Sequence, residues 1–330
     1  MVNKRLLNTA EKIVKEGSDF LSYEEACELF TISPEHTLDL IMGANSIRRK
    51  FKGDSVFTCS IINAKSGFCR ENCAFCPQSA HHKTDIATYP LMSTDELVGA
   101  ALNMYEAGAV KYSMVTSGYM LNDEEIDRIC RAATIIREKT PLAVCASLGM
   151  LTPSMAGRLV ESGITTFHHN LETARSFFSS ICTTHEYDED LQTIAHVKAA
   201  GMKICSGGIL GLGETWEQRV ELAFTLKELD VDRIPLNFLN PIPGTRMEDR
   251  PLLPPLEALR SIALFRYVNP GKDITICGGR EVTLRDYQSW IFAAGANGVM
   301  IGNYLTTQGR SAAMDMEMIK EFNLAKDENR

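Results

Sequence analysis

Residues 55–78 read SVFTCSIINAKSGFCRENCAFCPQ, a β-rich run that ends in a loop carrying three cysteines. The β-branched and aromatic residues of its first half favour an extended chain, and Gly67 marks the point where that chain turns away. Cys69, Cys73 and Cys76 follow within eight positions. A disulfide would use two of them and strand the third, so thiolates this close converge on one small inorganic centre. A structural zinc site ordinarily presents paired C-x2-C hooks, and no second pair stands elsewhere in the chain. Three thiolates leave one coordination position open.

Working outward from this strand and loop, the chain alternates short β-rich runs with amphipathic helical stretches. The runs are AVKYSMV at 109–115, LAVCAS at 142–147, TTFHHNL at 165–171, KICSGGIL at 203–210, DRIPLNFL at 232–239, DITICGG at 273–279 and GVMIGNYL at 298–305. Between the first two strands, STDELVGAALNMYEAG opens on a capping serine and closes on glycine. Eight strands alternating with helices predict an α/β fold, a TIM-type (βα)8 barrel, over residues 51–320. Strand counting alone does not establish closure, and an open doubly wound sheet has the same alternation. Residues 1–50 read as a helical extension, with Ser22 capping SYEEACELF, and 321–330 as a C-terminal tail.

Composition narrows the functional classes. A formal charge of -8 argues against nucleic acid or an anionic membrane surface as the main partner, since both demand clustered cations. The amino terminus is amphipathic and charged rather than signal-like, and no apolar run reaches membrane-spanning length, so a cytoplasmic enzyme is expected. Ten cysteines in such a chain point to metal or cluster chemistry rather than a disulfide framework.

With its C-x3-C-x2-C loop after the first strand, the chain resembles the radical S-adenosylmethionine enzymes. In that superfamily three cysteines hold a 4Fe-4S cluster whose open iron chelates S-adenosylmethionine. An electron then cleaves the sulfonium, and the 5'-deoxyadenosyl radical abstracts hydrogen from an unactivated carbon. Within the superfamily, FCPQS, HHNLETA, ICTTHEY, CSGGILGLGET, PLNFLNPIPGT and AGANGVMIGNYLTT resemble, in order, the biotin synthase family. The resemblance implies sulfur insertion into dethiobiotin, with an auxiliary iron-sulfur cluster as sulfur donor. It also implies a homodimer and a flavodoxin or ferredoxin as reductant.

Carried over residue by residue, the resemblance assigns Asn170 and Asn237 to the dethiobiotin ureido group, a task that suits a carboxamide's paired donor and acceptor. Glu172 takes the place of an aspartate that grips the ribose of S-adenosylmethionine. Phe75, Gly207 and Gly208 fall on the wall that contacts this cofactor. GGILGLGE lacks the lysine and spacing of a phosphate-binding P-loop.

Several positions depart from the family pattern. Of the auxiliary cluster's three cysteines and one arginine, Cys145 and Cys205 match, whereas Ser113 and Thr275 replace the other cysteine and the arginine. Cys59 and Cys277 are gained on the first and seventh strands, Cys277 on the same face as Thr275. A lone buried cysteine is ordinarily a small core residue. Cys59, Cys145, Cys205 and Cys277, however, come from strands one, three, five and seven, a set that one interior layer of a barrel holds. Four thiolates favour an auxiliary four-iron cluster, bound by all four or by three with an extra sulfide on one iron. Asp190 stands where the family has an arginine for the cofactor carboxylate, and Arg280 is a candidate substitute. His168, His169 and His185 read as polar lining, and Cys27, Cys130 and Cys182 as structural thiols. Two alternatives remain at this point: a related radical maturase or mutase without sulfur insertion, and a non-catalytic iron-sulfur or zinc carrier.

Overall fold

The computed structural model describes residues 2–31 and 33–327. Its strands are β1 (Ser55–Lys65), β2 (Lys111–Thr116), β3 (Ala143–Ser147), β4 (Thr166–His168), β5 (Lys203–Cys205), β6 (Gly208–Leu210), β7 (Arg233–Phe238), β8 (Asp273–Ile276), β9 (Gly298–Met300) and β10 (Ala325–Lys326). Every barrel pairing is parallel, in the order β1-β2-β3-β4-β5-β7-β8-β9, with β6 also on β7. β9 returns to β1 through Phe57 opposite Gly298 and Cys59 opposite Met300, so the sheet closes. β5 and β6 are two halves of one barrel position, which gives eight positions and the expected TIM-type barrel. β10 lies parallel to the start of β1.

Gly207 lies between β5 and β6 and shows why the fifth strand is interrupted. A Cβ there would lie 1.9 Å from the Pro235 carbonyl oxygen, and one at Gly208 would lie 2.4 Å from that of Glu172. The missing side chains let neighbouring backbone approach.

The outer layer comprises α4 (Thr94–Glu106), α5 (Asp123–Lys139), α6 (Pro153–Glu161), α7 (Arg175–Phe178), α8 (Tyr187–Ala199), α9 (Trp216–Glu228), α10 (Pro255–Val268), α11 (Arg280–Leu284), α12 (Trp290–Ala293) and α13 (Ala312–Glu321). Capping boxes start α4, α5 and α9, through Ser93 with Glu96, Asn122 with Glu125 and Thr215 with Gln218. Ahead of β1 come α1 (Lys4–Glu16), α2 (Tyr23–Phe30) and α3 (Thr37–Lys52). Ser22 and Glu25 form the capping box of α2. α1 packs on α3, and α3 on α10. Among the described residues, no helix is long and apolar enough to cross a membrane.

Strand alternation sorts the residues of each strand. On β7, Ile234 and Leu236 face outward into the helix layer, whereas Arg233, Pro235 and Asn237 face the barrel interior. On β2, Tyr112 and Met114 face outward, and Lys111, Ser113 and Val115 inward.

Arg280 opens α11 fully buried. Its guanidinium donates to Asp315 Oδ2 at 2.6 Å, Gln288 Oε1 at 2.8 Å and the Tyr304 hydroxyl at 3.2 Å. It is therefore committed to fixing α11 against α13, which takes it out of contention for a cofactor carboxylate. Asp315→Ala removes the buried carboxylate partner of that cation and leaves only Glu281 Oε1, 3.5 Å from Nε, so denaturant unfolding is expected to show a loss of about 3 kcal/mol.

Candidate active site

The three-cysteine loop leaves the C-terminal end of β1 through two consecutive left-handed residues, Gly67 (φ 79°) and Phe68 (φ 52°). Hydrogen bonds then fix it at both ends. Cys69 N donates to Gln78 O at 3.0 Å, Ala80 N to Cys69 O at 2.7 Å, and the Ser117 hydroxyl to Gly67 O at 2.7 Å. On the far side, Ala74 N donates to Ile181 O at 2.8 Å and Asn72 Nδ2 to Thr183 Oγ1 at 2.7 Å. These bonds bring the segment around Cys182 against the loop.

Cys69, Cys73 and Cys76 line one cavity of about 200 Å³ with Glu172, His185 and Asp190. All three thiols are held above their ordinary range: Cys76 is pushed up to about 12 by burial, Cys69 is raised by burial, and Cys73 is raised by its contact with the Cys182 thiol and then by burial.

Cys182 Sγ lies 3.8 Å from Cys73 Sγ and 3.4 Å from His185 Nδ1. Glu71, Cys182 and His185 present ligand atoms close enough to one another to hold a metal ion. The reading of Cys182 as a structural thiol missed this neighbourhood, because the contact joins two loops and leaves no periodic trace in the sequence.

Asp190, where an arginine was expected, is flanked by histidines. His169 Nε2 lies 2.8 Å from its Oδ1 and His185 Nε2 3.5 Å from its Oδ2, and His185 Nδ1 is 2.6 Å from Glu71 Oε2. Burial opposes a charge on His185, but hydrogen bonds with Asp190, Cys182 and Glu71 outweigh it and raise the imidazole to about 11. A cation therefore stands beside Asp190 in the same cavity.

A second cavity, of about 320 Å³, fills the upper barrel interior. Cys59, Cys145, Cys205 and Cys277 all line it, with Asn170, Asn237, Ser113 and Thr275. Cys59 Sγ lies 4.0 Å from the Val299 carbonyl oxygen and Cys277 Sγ 3.8 Å from that of Thr275, and the two thiols act on each other so that Cys59 is lowered and Cys277 raised. Burial raises Cys145, and Cys205 to about 12. Phe75, His168, Asn170 and Glu172 line both cavities, so the two share a wall. Gly207 and Gly208 line neither.

The two asparagines are positioned by backbone. Asn170 Oδ1 accepts from Gly207 N at 3.2 Å while its Nδ2 donates to Glu172 Oε2 at 3.2 Å. Asn237 Oδ1 accepts from Gly278 N at 3.0 Å and Nδ2 donates to Gly208 O at 3.4 Å. Each carboxamide keeps a further donor and acceptor for the cavity. Glu172 is left-handed at φ 61°, bridges to Gly208, and is raised to about 8 by burial and then by Asp190.

Two cations in this interior were not anticipated: Lys111 on β2 and Arg233 on β7. The available signal was parity, since Arg233 shares its face with Pro235 and Asn237. Burial works against the Arg233 charge, but the thiols of Cys205, Cys145 and Cys59 outweigh it and raise the guanidinium. Lys111 is lowered by burial and then by Arg233.

Residues 64–226 match the family model for the Radical SAM superfamily, and residues 235–325 match that for the Biotin and Thiamin Synthesis associated domain. The biotin synthase of Syntrophus aciditrophicus is 58% identical over 311 residues, covering 94% of this chain and 96% of the relative. That of Geobacter metallireducens is 53% identical, covering 98% of each. Among solved structures, methylornithine synthase (PylB) superposes with TM-score 0.84 over 97% of each chain at 18% identity, a likeness of fold. Nearly full-length identity of this order, together with the three-cysteine loop at the mouth of a closed barrel, shows that the chain belongs to the biotin synthase family of radical S-adenosylmethionine enzymes.

Proposed function

We propose that this enzyme inserts one sulfur atom between two saturated carbons of dethiobiotin to form biotin, drawing the sulfur from an auxiliary cluster held by Cys59, Cys145, Cys205 and Cys277. The observation that carries the reading is the shared cavity. Four thiols, on β1, β3 and β5 and one residue past β8, line the space that Asn170 and Asn237 also face, and its wall is common with the three-cysteine loop. The donor set fits an iron-sulfur centre, and the buried Ser113 and Thr275 hydroxyls beside it have no hydrogen-bond partner within the protein. Four thiolates can hold either a 2Fe-2S or a 4Fe-4S core, and the four-iron form is the reading put to the test by iron content.

Cys69, Cys73 and Cys76 would hold a 4Fe-4S cluster, which would supply the electrons for cleaving two S-adenosylmethionine molecules in turn to methionine and 5'-deoxyadenosine, each 5'-deoxyadenosine carrying away one of the two hydrogens that sulfur replaces. The chain's own groups bind and orient. Asn170 and Asn237 hold the ureido ring, Glu172 accepts from the ribose hydroxyls, and Phe75 packs between the cofactor and substrate spaces. His185, charged by Asp190 and Glu71, takes the cofactor carboxylate. His185→Gln removes a charged hydrogen bond of about 1.5–3 kcal/mol, so calorimetry is expected to show S-adenosylmethionine binding roughly 10–100-fold weaker.

The direct test incubates fully reconstituted, reduced enzyme with dethiobiotin and S-adenosylmethionine. Biotin together with 5'-deoxyadenosine is the expected outcome. Formation of 5'-deoxyadenosine without biotin would overturn sulfur insertion.

A further inference from the structure

Lys111 and Arg233 present a problem that the reaction, as described so far, does not solve. Both are buried, both face the thiol set, and both lie against the same ring: Arg233 Cζ is 4.5 Å and Lys111 Nζ 5.4 Å from the Phe57 centroid. Two like charges in one barrel interior repel each other and lose solvation. The nearest carboxylate offers little relief. Asp273 Oδ2 is 3.9 Å from Arg233 Nη2, and its Oδ1 is already taken by Lys52 at 2.7 Å and Asn297 at 2.8 Å. Asp273 also acts on Lys111, but no close ion pair joins the two among the described residues. Arg233 Nε, Ser113 Oγ and Thr275 Oγ1 are buried without a hydrogen-bond partner. Donors and positive charge thus accumulate on the wall that also carries Cys59, Cys145, Cys205 and Cys277.

What satisfies such a wall is an anion rich in acceptors. Four thiolates around an iron-sulfur core carry net negative charge, and hydrogen bonds to the sulfurs and nearby cations set both the retention and the reduction potential of such a core. Resting on the proposed auxiliary cluster, we infer that Arg233 and Lys111 are positioning residues for its inorganic sulfide. Their N–H groups, with the Ser113 and Thr275 hydroxyls, hydrogen-bond the cluster sulfur and offset its charge. The arrangement gives two cations a purpose inside an apolar barrel and gives the sulfur to be donated a set of holders distinct from its cysteine ligands.

The test compares reconstituted wild-type holoenzyme with Arg233→Met, Arg233→Lys and Lys111→Met, reading iron, acid-labile sulfide and the auxiliary cluster's reduction potential by spectroscopic redox titration. In both Met variants the auxiliary potential is expected to shift to more negative values, and labile sulfide to be lost faster during anaerobic gel filtration. The radical S-adenosylmethionine cluster should be unchanged, and Arg233→Lys should recover most of the wild-type potential. If Arg233→Met fails to fold, Lys111→Met carries the same expectation alone. Unchanged potential and sulfide content in the Met variants that fold would overturn the inference. So would an Arg233→Lys variant as impaired as Arg233→Met, because that marks a purely structural role. A wild type holding only about four irons would instead sink the auxiliary-cluster reading itself, whereas about eight irons with unaffected variants would sink this inference alone.

Discussion

Replacing Cys59 and Cys277 together by alanine is expected to lower the iron content from about eight to about four per chain, to remove the auxiliary signal from the Mössbauer spectrum, and to abolish biotin while 5'-deoxyadenosine continues to form. The two thiols come from distant parts of the sequence, β1 and the residue after β8, yet they line the same interior cavity. Only Cys145 and Cys205 would remain, too few to hold a cubane without outside ligands. Neither alanine disturbs the outer layer, because both side chains face the cavity rather than the helices. Loss of the cluster therefore separates from loss of the fold, and the melting temperature of the metal-free chain is expected to stay close to wild type. Iron content that does not fall on mutation would remove Cys59 and Cys277 from the ligand set.

The mirror-image variant, Cys69→Ala, Cys73→Ala, Cys76→Ala, is expected to stop S-adenosylmethionine cleavage altogether while keeping about four irons in the auxiliary centre. The two sites are built on separate backbone: one loop carries the first trio, and β1, β3, β5 and the residue after β8 carry the second set. Reduced protein should yield no 5'-deoxyadenosine under conditions where wild type yields it readily. Cleavage persisting in this variant would mean that Cys182, His185 or another ligand supports a working cluster.

Much of this was legible in the sequence because it rests on short-range regularities. Eight β-rich runs alternating with capped helices mark the barrel, and the spacing of Cys69, Cys73 and Cys76 marks a three-ligand loop. Inward parity on a strand groups Thr275 with Cys277. The remainder depends on contacts between distant segments. Closure needs β9 to return to β1, and the break between β5 and β6 reflects how closely the Pro235 backbone approaches Gly207. The placement of Cys182 beside Cys73 comes from loop-to-loop hydrogen bonds without periodicity. Arg280 looked available near the end of a strand, but its commitment to Asp315 depends on α13, thirty-five residues onward. The positive charge beside Asp190 was hidden for a different reason: His185 is charged only because Asp190, Cys182 and Glu71 surround it, and no residue type announces that.

The central claim is that the sulfur of biotin leaves the auxiliary cluster. It is tested most directly by reconstituting the enzyme with sulfide enriched in sulfur-34, removing free sulfide, and running a single turnover with dethiobiotin and S-adenosylmethionine under reducing conditions. Mass spectrometry is predicted to find biotin carrying sulfur-34, with matching loss of labile sulfide from the wild type and no biotin from Cys59→Ala, Cys277→Ala. Biotin carrying natural-abundance sulfur, or labelled biotin from the double variant, would contradict the account.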